Sequence, residues 1–561
     1  MERIWLPQYQ QGVPADVDIA SISKTSSLIN ILEKIYRTHP QNPAFTNMGV
    51  TITYQQLWDY TRHFANFLWH KLGLRPGDRM AVMMPNLLQY PVALFGAFQI
   101  GVTVVNINPL YKAQELEYQL KDADCKAIVV LANMANVLEQ VIDRVGVKKV
   151  IVTELADMFP FPRSFLINKV VKYIKPKYPD WHIAGAYRFK DTIKPSSLPF
   201  PEITHDVDAI AFLQYTGGTT GLAKGAMLSH RNMLANIMQA NAWLTPELEK
   251  LKQTIVITAL PLYHIFSLLA NGLVFVSRGG HNILITNPRD VSGFVKELSH
   301  YKFNIITGVN TLFNALLHHP QFASLDFSGV KVALAGGMAL QHSVAENWQK
   351  VTGCPLIQAY GLTETSPAAV INPLNAKSYS GAIGVPISST YVKICDDKGN
   401  EVPLGERGEL CIKGPQVMVG YWQQPKETVN VMLPGDWLKT GDIAYVDEHG
   451  YVFIVDRKKD MILVSGFNVY PNEIEDVVAG LAGVREVAAV GVPDEHSGES
   501  VKLFVVKKDP ALTKEDIMSY CRQFLTGYKL PKDIEFRTDL PKTPVGKILR
   551  RTLRDEASST K

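Results

Sequence analysis

Tyr215-Thr216-Gly217-Gly218-Thr219-Thr220-Gly221-Leu222-Ala223-Lys224-Gly225 is a glycine-rich stretch that also carries three threonines and one lysine. It follows an apolar run, residues 209–214, which is typical of a buried strand. Glycine lets the backbone turn tightly and present its N–H groups to an anion, and hydroxyl and ammonium groups add donors. The stretch therefore predicts a loop that holds phosphate. It is not the P-loop of NTPases, which requires Ser or Thr directly after the lysine. A flexible hairpin is the alternative.

The overall composition is that of an ordinary globular protein. The chain has 561 residues, of which 46% are hydrophobic and 20% charged, and its net charge is +4. This length predicts about three to four structural units. So mild a positive charge gives no reason to expect a nucleic-acid partner, although it permits weak attraction to an anionic membrane.

The cysteines and the N-terminal residues indicate the cellular compartment. Five cysteines lie far apart, without metal-ligand spacing, which favours a reducing cytoplasm over a disulfide framework. The first residues lack the pattern of a signal peptide, and no run of eighteen apolar residues spans a membrane. We therefore expect a cytoplasmic protein.

The fold class follows from the periodicity of apolar residues. Strand and helix patterns alternate through residues 79–152 and 254–370, which predicts doubly wound, mostly parallel sheets with ligands at the carboxyl ends of the strands. From residue 384 the period changes to about two, which indicates an antiparallel subdomain. Residues 461–525 then form a small α+β pattern. The predicted fold is α/β, with a large N-terminal domain of such sheets, an antiparallel β subdomain and a small α+β C-terminal domain.

A second polar motif, Tyr360-Gly361-Leu362-Thr363-Glu364, follows the predicted strand 356–359. An aromatic side chain at a strand end can stack on a purine, and a carboxylate can bind Mg²⁺, which prefers oxygen ligands. The pair Gly336-Gly337 opens the backbone where a flat ring could approach. The alternative is a strand-to-loop turn whose polarity is incidental.

Four further features lie in other regions of the chain. His264 follows the predicted strand 256–260 beside aromatic residues, and a lone histidine is more often structural than catalytic. Asp442 follows a glycine and is suited to accept hydrogen bonds from both hydroxyls of a ribose. The charged run 456–460 separates the antiparallel block from the small unit, where such a run is usually only a solvated face. The chain closes with a turn and a basic helix that contain Lys547.

Residues 163–177 form a short basic segment. It carries Arg163, Lys169, Lys172, Lys175 and Lys177, and its apolar residues could share one helical face. Such a segment can lie on an anionic membrane surface. The more common alternative is a solvated loop that covers apolar surface.

Taken in order, these stretches resemble the motifs of the AMP-forming acyl-adenylate superfamily, which contains acyl-CoA synthetases, luciferases and peptide-synthetase adenylation domains. The resemblance covers nearly the whole chain and at least five separate motifs. Residues 435–461 are similar to the signature of fatty acyl-CoA synthetases. Within the superfamily the chain looks closest to the bacterial long-chain fatty acyl-CoA synthetases.

The resemblance implies a role for each motif. The glycine-rich loop would hold the β- and γ-phosphates of ATP, Tyr360 would lie near adenine, and Glu364 would bind Mg²⁺. The implied catalytic residues are Lys547, Thr216, Glu364 and His264. The implied nucleotide-binding residues are Thr216, Gly217, Gly218, Thr219, Thr220, Gly221, Lys224, Gly336, Gly337, Tyr360, Gly361, Thr363, Glu364, Asp442, Arg457, Lys459, Gly466 and Lys547.

The resemblance also implies a moving C-terminal domain. Residues 1–456 would be the adenylate-forming domain and residues 457–561 a mobile domain with its hinge near Lys459. Lys547 would be its catalytic lysine, and Gly466 would lie in a loop that approaches the path of the thiol.

The implied reaction is the ATP-dependent joining of long-chain fatty acids to coenzyme A. It passes through an acyl-adenylate, releases AMP and pyrophosphate, and would feed fatty acid degradation and uptake by trapping. The apolar wall candidates are Val309, Leu312 and Phe313. A ligase for medium-chain or other carboxylic acids is the alternative within the superfamily. The resemblance further implies contact with the inner face of the cytoplasmic membrane, and it is compatible with a homodimer.

Two other classes of function compete with this interpretation. A carrier-loading adenylation module would normally be joined to a carrier domain, and the chain stops soon after Lys547. A membrane lipid-binding or uptake protein with a vestigial ATP site would not need Lys224, Glu364 and Asp442 intact. The sequence does not determine the preferred acyl chain length, the oligomeric state or the domain orientation.

Overall fold

The computed structural model describes residues 3–171, 180–216, 223–494 and 496–559. The strands of these residues are β1 Pro43–Asn47, β2 Val50–Thr53, β3 Arg79–Met83, β4 Thr103–Asn106, β5 Ala127–Leu131, β6 Lys149–Thr153, β7 Tyr187–Arg188, β8 Ile210–Thr216, β9 Lys224–Ser229, β10 Ile255–Thr258, β11 His281–Leu284, β12 Ile305–Gly308, β13 Val332–Gly336, β14 Leu356–Gly361, β15 Ala368–Ile371, β16 Val385–Pro386, β17 Tyr391–Cys395, β18 Gly408–Lys413, β19 Gly420–Tyr421, β20 Met432–Leu433, β21 Trp437–Val446, β22 Val452–Arg457, β23 Ile462–Val464, β24 Phe467–Val469, β25 Val484–Asp494, β26 Gly498–Lys507 and β27 Asp533–Arg537.

The α-helices are α1 Ile29–Thr38, α2 Tyr54–His70, α3 Gln89–Gln99, α4 Ala113–Asp122, α5 Ala135–Glu139, α6 Arg163–Lys169, α7 Phe189–Thr192, α8 His230–Leu248, α9 Ile265–Ser267, α10 Val274–Ser277, α11 Val291–Leu298, α12 Asn310–Leu317, α13 His342–Thr352, α14 Pro425–Val431, α15 Pro471–Ala479, α16 Lys514–Phe524 and α17 Arg550–Ser559. A π-helical segment, Leu268–Leu273, joins α9 to α10, so that residues 265–277 form one continuous helix. Such π segments are often found at functional sites.

Two large sheets dominate the first 390 residues, and one of them gains a further strand, β19, from residues 420–421. One has nine strands in the order β16-β15-β14-β13-β12-β10-β11-β1-β2, and the other has eight in the order β19-β9-β8-β4-β3-β5-β6-β7. The central strands of both sheets run parallel. The predicted doubly wound arrangement is therefore confirmed.

Helices cover both faces of each large sheet. The largest hydrophobic core lies between the two sheets, where α2, α3, α8 and the helix 265–277 pack. A second core lies under α11, α12 and α13, and a third under α4 and α5. Along β13, Leu334 faces the first core while Ala333 and Ala335 face the second, because a strand buried on both faces is apolar at every position.

Two smaller sheets follow in the chain. The first is antiparallel, in the order β17-β18-β21-β20 with β22 beside β21, as the change to period two predicted. The last sheet, β24-β23-β26-β25 with β27 beside β26, has its own cores, formed only by residues beyond 460. The α/β fold class with a small C-terminal α+β unit is confirmed.

Polar residues set several element boundaries near the site. Ser229 begins α8 with a capping box, in which its hydroxyl accepts the N–H of Asn232 and the Asn232 side chain accepts the N–H of Ser229. The hairpin of β8 and β9 ends in the pair Thr216–Lys224. The cap defines where α8 begins, and the pair marks where the ladder between β8 and β9 ends.

Within the described ranges, no helix combines the length and apolar character needed to cross a membrane.

Candidate active site

The predicted site residues meet in one cleft of about 2290 Å³. It lies where the carboxyl ends of β12, β13 and β14 approach the antiparallel sheet and a turn of the C-terminal unit. Thirteen predicted residues line it: Thr216, Lys224, His264, Gly336, Gly337, Tyr360, Gly361, Thr363, Glu364, Asp442, Arg457, Lys459 and Lys547. Residues far apart in sequence thus share one site.

Six predicted residues are not among those that line the cleft. Gly217, Gly218, Thr219, Thr220 and Gly221 lie outside the described residues. Gly466 forms the exposed turn between β23 and β24, where a Cβ added to it would have no atom within 4 Å. In this orientation of the C-terminal unit, the predicted thiol-side loop does not reach the cleft.

A buried carboxylate lies at the polar end of the cleft, which we call the nucleotide end because the sequence motifs predict nucleotide binding there. The hydroxyl of Tyr360 donates to Asp442 Oδ2 at 2.6 Å, and Arg457 Nε lies 3.4 Å from Asp442 Oδ1. Burial raises the pKa of Asp442, while the Arg457 guanidinium and the Tyr360 hydroxyl oppose that shift. Burial and the adjacent Asp442 also raise the pKa of Tyr360, so its hydroxyl remains a donor.

Two glycines at this end let other groups approach the backbone closely. A Cβ on Gly361 would lie 1.8 Å from the carbonyl oxygen of Pro367, so only glycine fits there. Gly337 has φ +79°, and a Cβ there would lie 3.4 Å from Lys547 Cε. The Lys547 side chain therefore passes over the backbone of Gly337.

Lys547 reaches the cleft on a tight turn of the C-terminal unit. The N–H of Lys547 donates to Thr543 Oγ1 at 3.0 Å, and the N–H of Thr543 donates to the carbonyl of Lys547 at 2.7 Å. The turn is fixed to the large unit because the Thr311 hydroxyl donates to the carbonyl of Gly546 at 2.9 Å. These contacts place the ammonium group inside the cleft.

The surroundings of Lys547 tune its charge. Burial, followed by the positive charge of Arg457, lowers the pKa of Lys547 to about 8, while Asp442 and Glu364 oppose that shift. Burial and the nearby Lys547 lower the pKa of His264 to about 3, so its imidazole is neutral. His264 Nδ1 accepts the N–H of Phe266 at 3.3 Å and thereby caps the helix 265–277. This hydrogen bond gives His264 a structural role, although His264 also lines the cleft.

Glu364 is held in place by an aromatic residue that the sequence analysis missed. The Tyr421 hydroxyl donates to Glu364 Oε1 at 2.7 Å. No group of three or more His, Cys, Asp or Glu side chains that could hold a metal occurs in the part of the chain that the structure describes. Mg²⁺ needs no such cage, because it is usually held by one or two carboxylates and by substrate phosphates. The oxygen donors of Glu364 and Thr363 fit that ion.

Lys224 has a second partner that the motifs did not reveal. Its ammonium group pairs with Glu427 of α14 and lies 5.2 Å from the centre of the Tyr421 ring. The N–H of Tyr421 in turn donates to Thr428 Oγ1 of α14 at 2.9 Å. No residue pattern around Glu427 pointed to the phosphate loop, because the contact spans about two hundred residues.

The far end of the cleft is apolar and is built by two helices. Ala240, Trp243 and Leu244 share one face of α8 and line the cleft. Leu269 and Val274 of the helix 265–277 also line it. Asn241 of α8 donates to Ser277 Oγ at 3.0 Å, and Ser277 is the last residue of the helix 265–277. Because His264 precedes the first residue of that helix, the apolar end lies away from His264.

The predicted wall candidates are wrong. Val309, Leu312 and Phe313 are not among the residues that line the cleft. Phe313 is fully buried in the second core, where its ring centre lies 4.7 Å from that of Trp348. The residues after β12 begin α12, whose apolar face turns to the outer side of the nine-stranded sheet.

Gln358 is a further residue that the sequence analysis missed. It lies two positions before Tyr360 on β14, lines the cleft and is 7% exposed. Its Oε1 is buried without a hydrogen-bond partner among the described residues. A buried acceptor of this kind is costly unless a ligand or water satisfies it.

Comparison with known proteins agrees with this arrangement. A family model described as "AMP-binding enzyme" matches residues 32–422, and one described as "AMP-binding enzyme C-terminal domain" matches residues 473–547. A protein named long-chain-fatty-acid–CoA ligase from Escherichia coli O6:H1 is 53% identical over 566 residues, and one of that name from Haemophilus influenzae is 50% identical over 560 residues. Each alignment covers 99% of both chains.

One solved structure shares the fold over almost its whole length. The crystal structure of the anthranilate CoA ligase AuaEII in complex with anthranoyl-AMP superposes with a TM-score of 0.85 at 24% sequence identity. The match covers 97% of this chain and 99% of that chain. At this identity the likeness concerns the fold.

Proposed function

This chain belongs to the AMP-binding enzyme family, and we propose that it joins long-chain fatty acids to coenzyme A through an acyl-adenylate. The observation that carries the proposal is the cleft itself. One end gathers Lys547, Asp442 and Glu364, and the other end is an apolar space between α8 and the helix 265–277. A fatty acid has one carboxylate and one long apolar chain, and this cleft offers a place for each.

The reaction has two steps. In the first, a carboxylate oxygen of the fatty acid bonds to the α-phosphorus of ATP, and the bond to the β-phosphate breaks to release pyrophosphate. In the second, the thiol of coenzyme A gives up its proton to the solvent, its sulfur bonds to the acyl carbon, and AMP leaves with the electrons of the broken C–O bond. Two anions must meet in the first step, so positive charge fixed at that point lowers the barrier.

The residues of the chain would divide the work of the first step. Lys547 would bridge the acyl carboxylate and the α-phosphate, because its turn places the ammonium group beside Gly337. Asp442 would accept the ribose hydroxyls, and the loop from Thr216 to Lys224 would hold the β- and γ-phosphates. Glu364 and Thr363 would hold Mg²⁺, which supplies positive charge to the phosphates when it is bound.

Adenine recognition would involve Gln358 as well as Tyr360. The two residues lie two positions apart on β14, so their side chains leave the strand on the same side. The Oε1 atom of Gln358, which has no partner among the described residues, would then accept a hydrogen bond from the exocyclic amino group of adenine.

The length of the apolar end favours long acids. Residues from Ile265, next to His264, to Phe275 line the cleft along two to three turns of this helix, a length on the order of 10–15 Å. Each buried CH₂ contributes about 0.8 kcal/mol, so such a space rewards a long chain. A ligase for medium-chain or other carboxylic acids is the alternative.

A pyrophosphate-release assay across a series of acids tests the proposal. With ATP, Mg²⁺ and coenzyme A, we expect kcat/KM to rise from acetate through octanoate to palmitate. Formation of the thioester with free coenzyme A would separate this enzyme from a carrier-loading module. Equal kcat/KM for acetate and palmitate, or release with an aromatic acid alone, would refute the long-chain assignment.

The two steps would use two orientations of the C-terminal unit. We place the boundary after residue 456 and the hinge near Lys459, and the separate cores beyond residue 460 support this division. Lys547 lies in the cleft while Gly466 lies outside it, so their predicted roles require different orientations. Lys459→Pro should therefore impair thioester formation more than adenylation, because proline restricts the backbone rotation of a pivot. Stopped-flow measurement of each half-reaction checks this.

We further propose that the enzyme contacts the membrane through α6. Phe161 is 82% exposed, and Phe165, Leu166 and Val170 are exposed beside the basic Lys169. The remaining lysines of the basic segment, at 172, 175 and 177, lie outside the described residues. Apolar side chains flanked by basic residues suit the interface of an anionic bilayer, from which a long-chain acid would be drawn.

Vesicle sedimentation tests the membrane proposal. Wild-type protein should bind vesicles that contain anionic lipid better than zwitterionic vesicles, and salt should weaken that binding. Changing Phe165 and Leu166 together to Ser should weaken binding to both kinds of vesicle, whereas Lys169→Glu should affect only the anionic ones. Binding that neither change alters would remove α6 from this role.

The proposal also covers where the enzyme acts and what happens to its product. All five cysteines are buried and unpaired, which supports a reducing, cytoplasmic location. The thioester carries phosphate charges that do not cross the bilayer core, so ligation would trap the acid for degradation. The homodimer stays a prediction, and sedimentation velocity would measure it.

A further inference from the structure

A buried carboxylate joins the large unit to the C-terminal unit at the end of β22. Asp456 is fully buried and pairs with Ile443 in the antiparallel sheet. Its Oδ1 accepts the N–H of Arg457 at 2.7 Å, and its Oδ2 accepts the N–H of Asn472 at 2.8 Å. Asn472 belongs to α15 of the C-terminal unit. The last carboxylate of the large unit therefore accepts a hydrogen bond from the next residue of its own strand and one from the first turn of α15.

This contact completes a helix that has no cap of its own. The residue before α15 is Tyr470, whose side chain makes no capping bond. The first N–H groups of a helix need acceptors, and a negative charge at that end is stabilised by the helix dipole. Asp456 supplies both the hydrogen-bond acceptor and the negative charge, and it does so from the other unit. The cap therefore exists only while the two units keep this orientation.

An arginine of α17 closes the arrangement. Arg550 donates through Nε and Nη2 to the two oxygens of Glu475, at 2.9 and 2.6 Å, which is a bidentate pair within the C-terminal unit. Its Nη1 lies 3.5 Å from Asp456 Oδ1 and 3.8 Å from Asp460 Oδ2. Arg550 follows Lys547 by three residues. The same side chain thus connects the catalytic turn to the end of β22.

We propose that Asp456 and Arg550 form a latch that positions Lys547 for adenylation. The inference rests on the proposed function. Taking a carboxylate and a guanidinium out of water is costly, and their attraction offsets that cost only when geometry and further hydrogen bonds are good. Such a group is better explained by the orientation that it selects than by stability. Neither residue touches the reacting atoms, so both are positioning residues.

The role of the latch is to hold the Lys547 ammonium group in position. The Thr311 bond to Gly546 holds the tip of the turn, and the latch holds the chain just after it. Without the latch, α15 loses its cap and α17 loses its tie to β22. A displacement of about 1 Å at a reacting group can cost about 10²-fold in rate.

The experiment compares Asp456→Asn with two companion variants. Asp456→Asn keeps the shape of the side chain and removes its charge, and Arg550→Lys removes the bidentate fork while keeping the charge. Arg522→Lys is the matched control, because Arg522 is an exposed arginine on another helix of the same unit, α16, and is not among the residues that line the cleft. Pyrophosphate release with palmitate and ATP, thioester formation from preformed palmitoyl-adenylate, and the thermal midpoint are measured for each.

We expect Asp456→Asn and Arg550→Lys to lower kcat for pyrophosphate release by about 10- to 100-fold, with KM for ATP unchanged. Thioester formation from the preformed adenylate and the rates of Arg522→Lys should match wild type. Equal loss in both half-reactions with a lowered thermal midpoint would make the contact merely structural and would overturn the latch. Wild-type rates in both folded variants would also overturn it, while leaving the proposed function intact. A wild-type protein that releases no pyrophosphate with any acid would refute the proposed function and the latch with it.

Discussion

The two ends of the cleft differ in how they are built. The nucleotide end is made by short polar motifs at strand ends, such as Tyr360 to Glu364, and each motif supplies several of its residues at once. The apolar end is made by single side chains from long helices, such as Trp243 of α8 and Leu269 of the helix 265–277. The first end is local in sequence, and the second exists only after the helices pack.

The difference separates chemistry from selectivity. Groups that hold ATP must stand at defined positions around a strand end, so their order in the chain is restricted. A wall for an acyl chain needs only apolar volume, which many combinations of residues can provide. We therefore expect substitutions at the nucleotide end to change rate, and substitutions at the apolar end to change which acid is used.

The largest effect should come from Lys547→Ala. Removing a charge that stabilises the transition state typically costs about 10²–10³ in rate, so pyrophosphate release should fall by at least that order. Thioester formation from preformed acyl-adenylate should stay near normal, and ATP binding should weaken only slightly. Lys532→Ala, which removes a half-exposed lysine of the same unit, is the control. A Lys547→Ala enzyme that kept adenylation, or lost both half-reactions equally while folded, would contradict this role.

Ala240→Trp tests the other end of the cleft. A large ring at this position of α8 should fill part of the apolar space and exclude the last few CH₂ groups of a long acid. Loss of three to four buried CH₂ groups corresponds to about 3 kcal/mol, so kcat/KM for palmitate should fall about 100-fold. The value for octanoate should change little.

Phe313→Leu is the matched control for that variant. Phe313 lies in the second core and not on the cleft, so its substitution should lower the thermal midpoint without changing the palmitate to octanoate ratio. A changed ratio in Phe313→Leu, or an unchanged one in Ala240→Trp, would show that the apolar end is not where acids are selected.

Gln358→Leu should affect recognition of the base alone. If its Oε1 accepts the amino group of adenine, the variant should raise KM for ATP by up to about tenfold, since a net hydrogen bond contributes about 0.5–1.5 kcal/mol. KM for palmitate should be unchanged. An unaltered KM for ATP would mean that water, and not the base, satisfies this oxygen.

The smallest effect concerns pH. The pKa of Lys547 is lowered to about 8, so its proton is lost as pH rises through that value. The protonated form carries the charge that adenylation needs, so kcat/KM for pyrophosphate release should fall about fivefold between pH 8 and 9. Lys547→Arg should move this limb to higher pH, because the guanidinium stays charged. Lys459 also has a pKa lowered to about 8, so Lys459→Gln is the control that should leave the limb in place.

Periodicity was sufficient to predict the fold class but not the sheet order. The alternating strands of residues 79–152 and 254–370 are present, yet β10 lies between β11 and β12, and β1 joins the same sheet from two hundred residues away. Pairing over such separations depends on which faces can be buried together, and a local apolar pattern does not record that.

The sequence by itself determined the nucleotide end of this protein, because thirteen residues in recognisable motifs converge on one cleft. The tertiary structure alone decided the rest of the site. Tyr421 reaches Glu364 across 57 residues of sequence, and Asp456 caps a helix of another unit. Val309, Leu312 and Phe313 matched the composition of an acyl wall, but none of them lines the cleft, and Leu312 and Phe313 pack in the second core. Composition describes which side chains can be buried, whereas the packing of helices on sheets decides which cavity they surround.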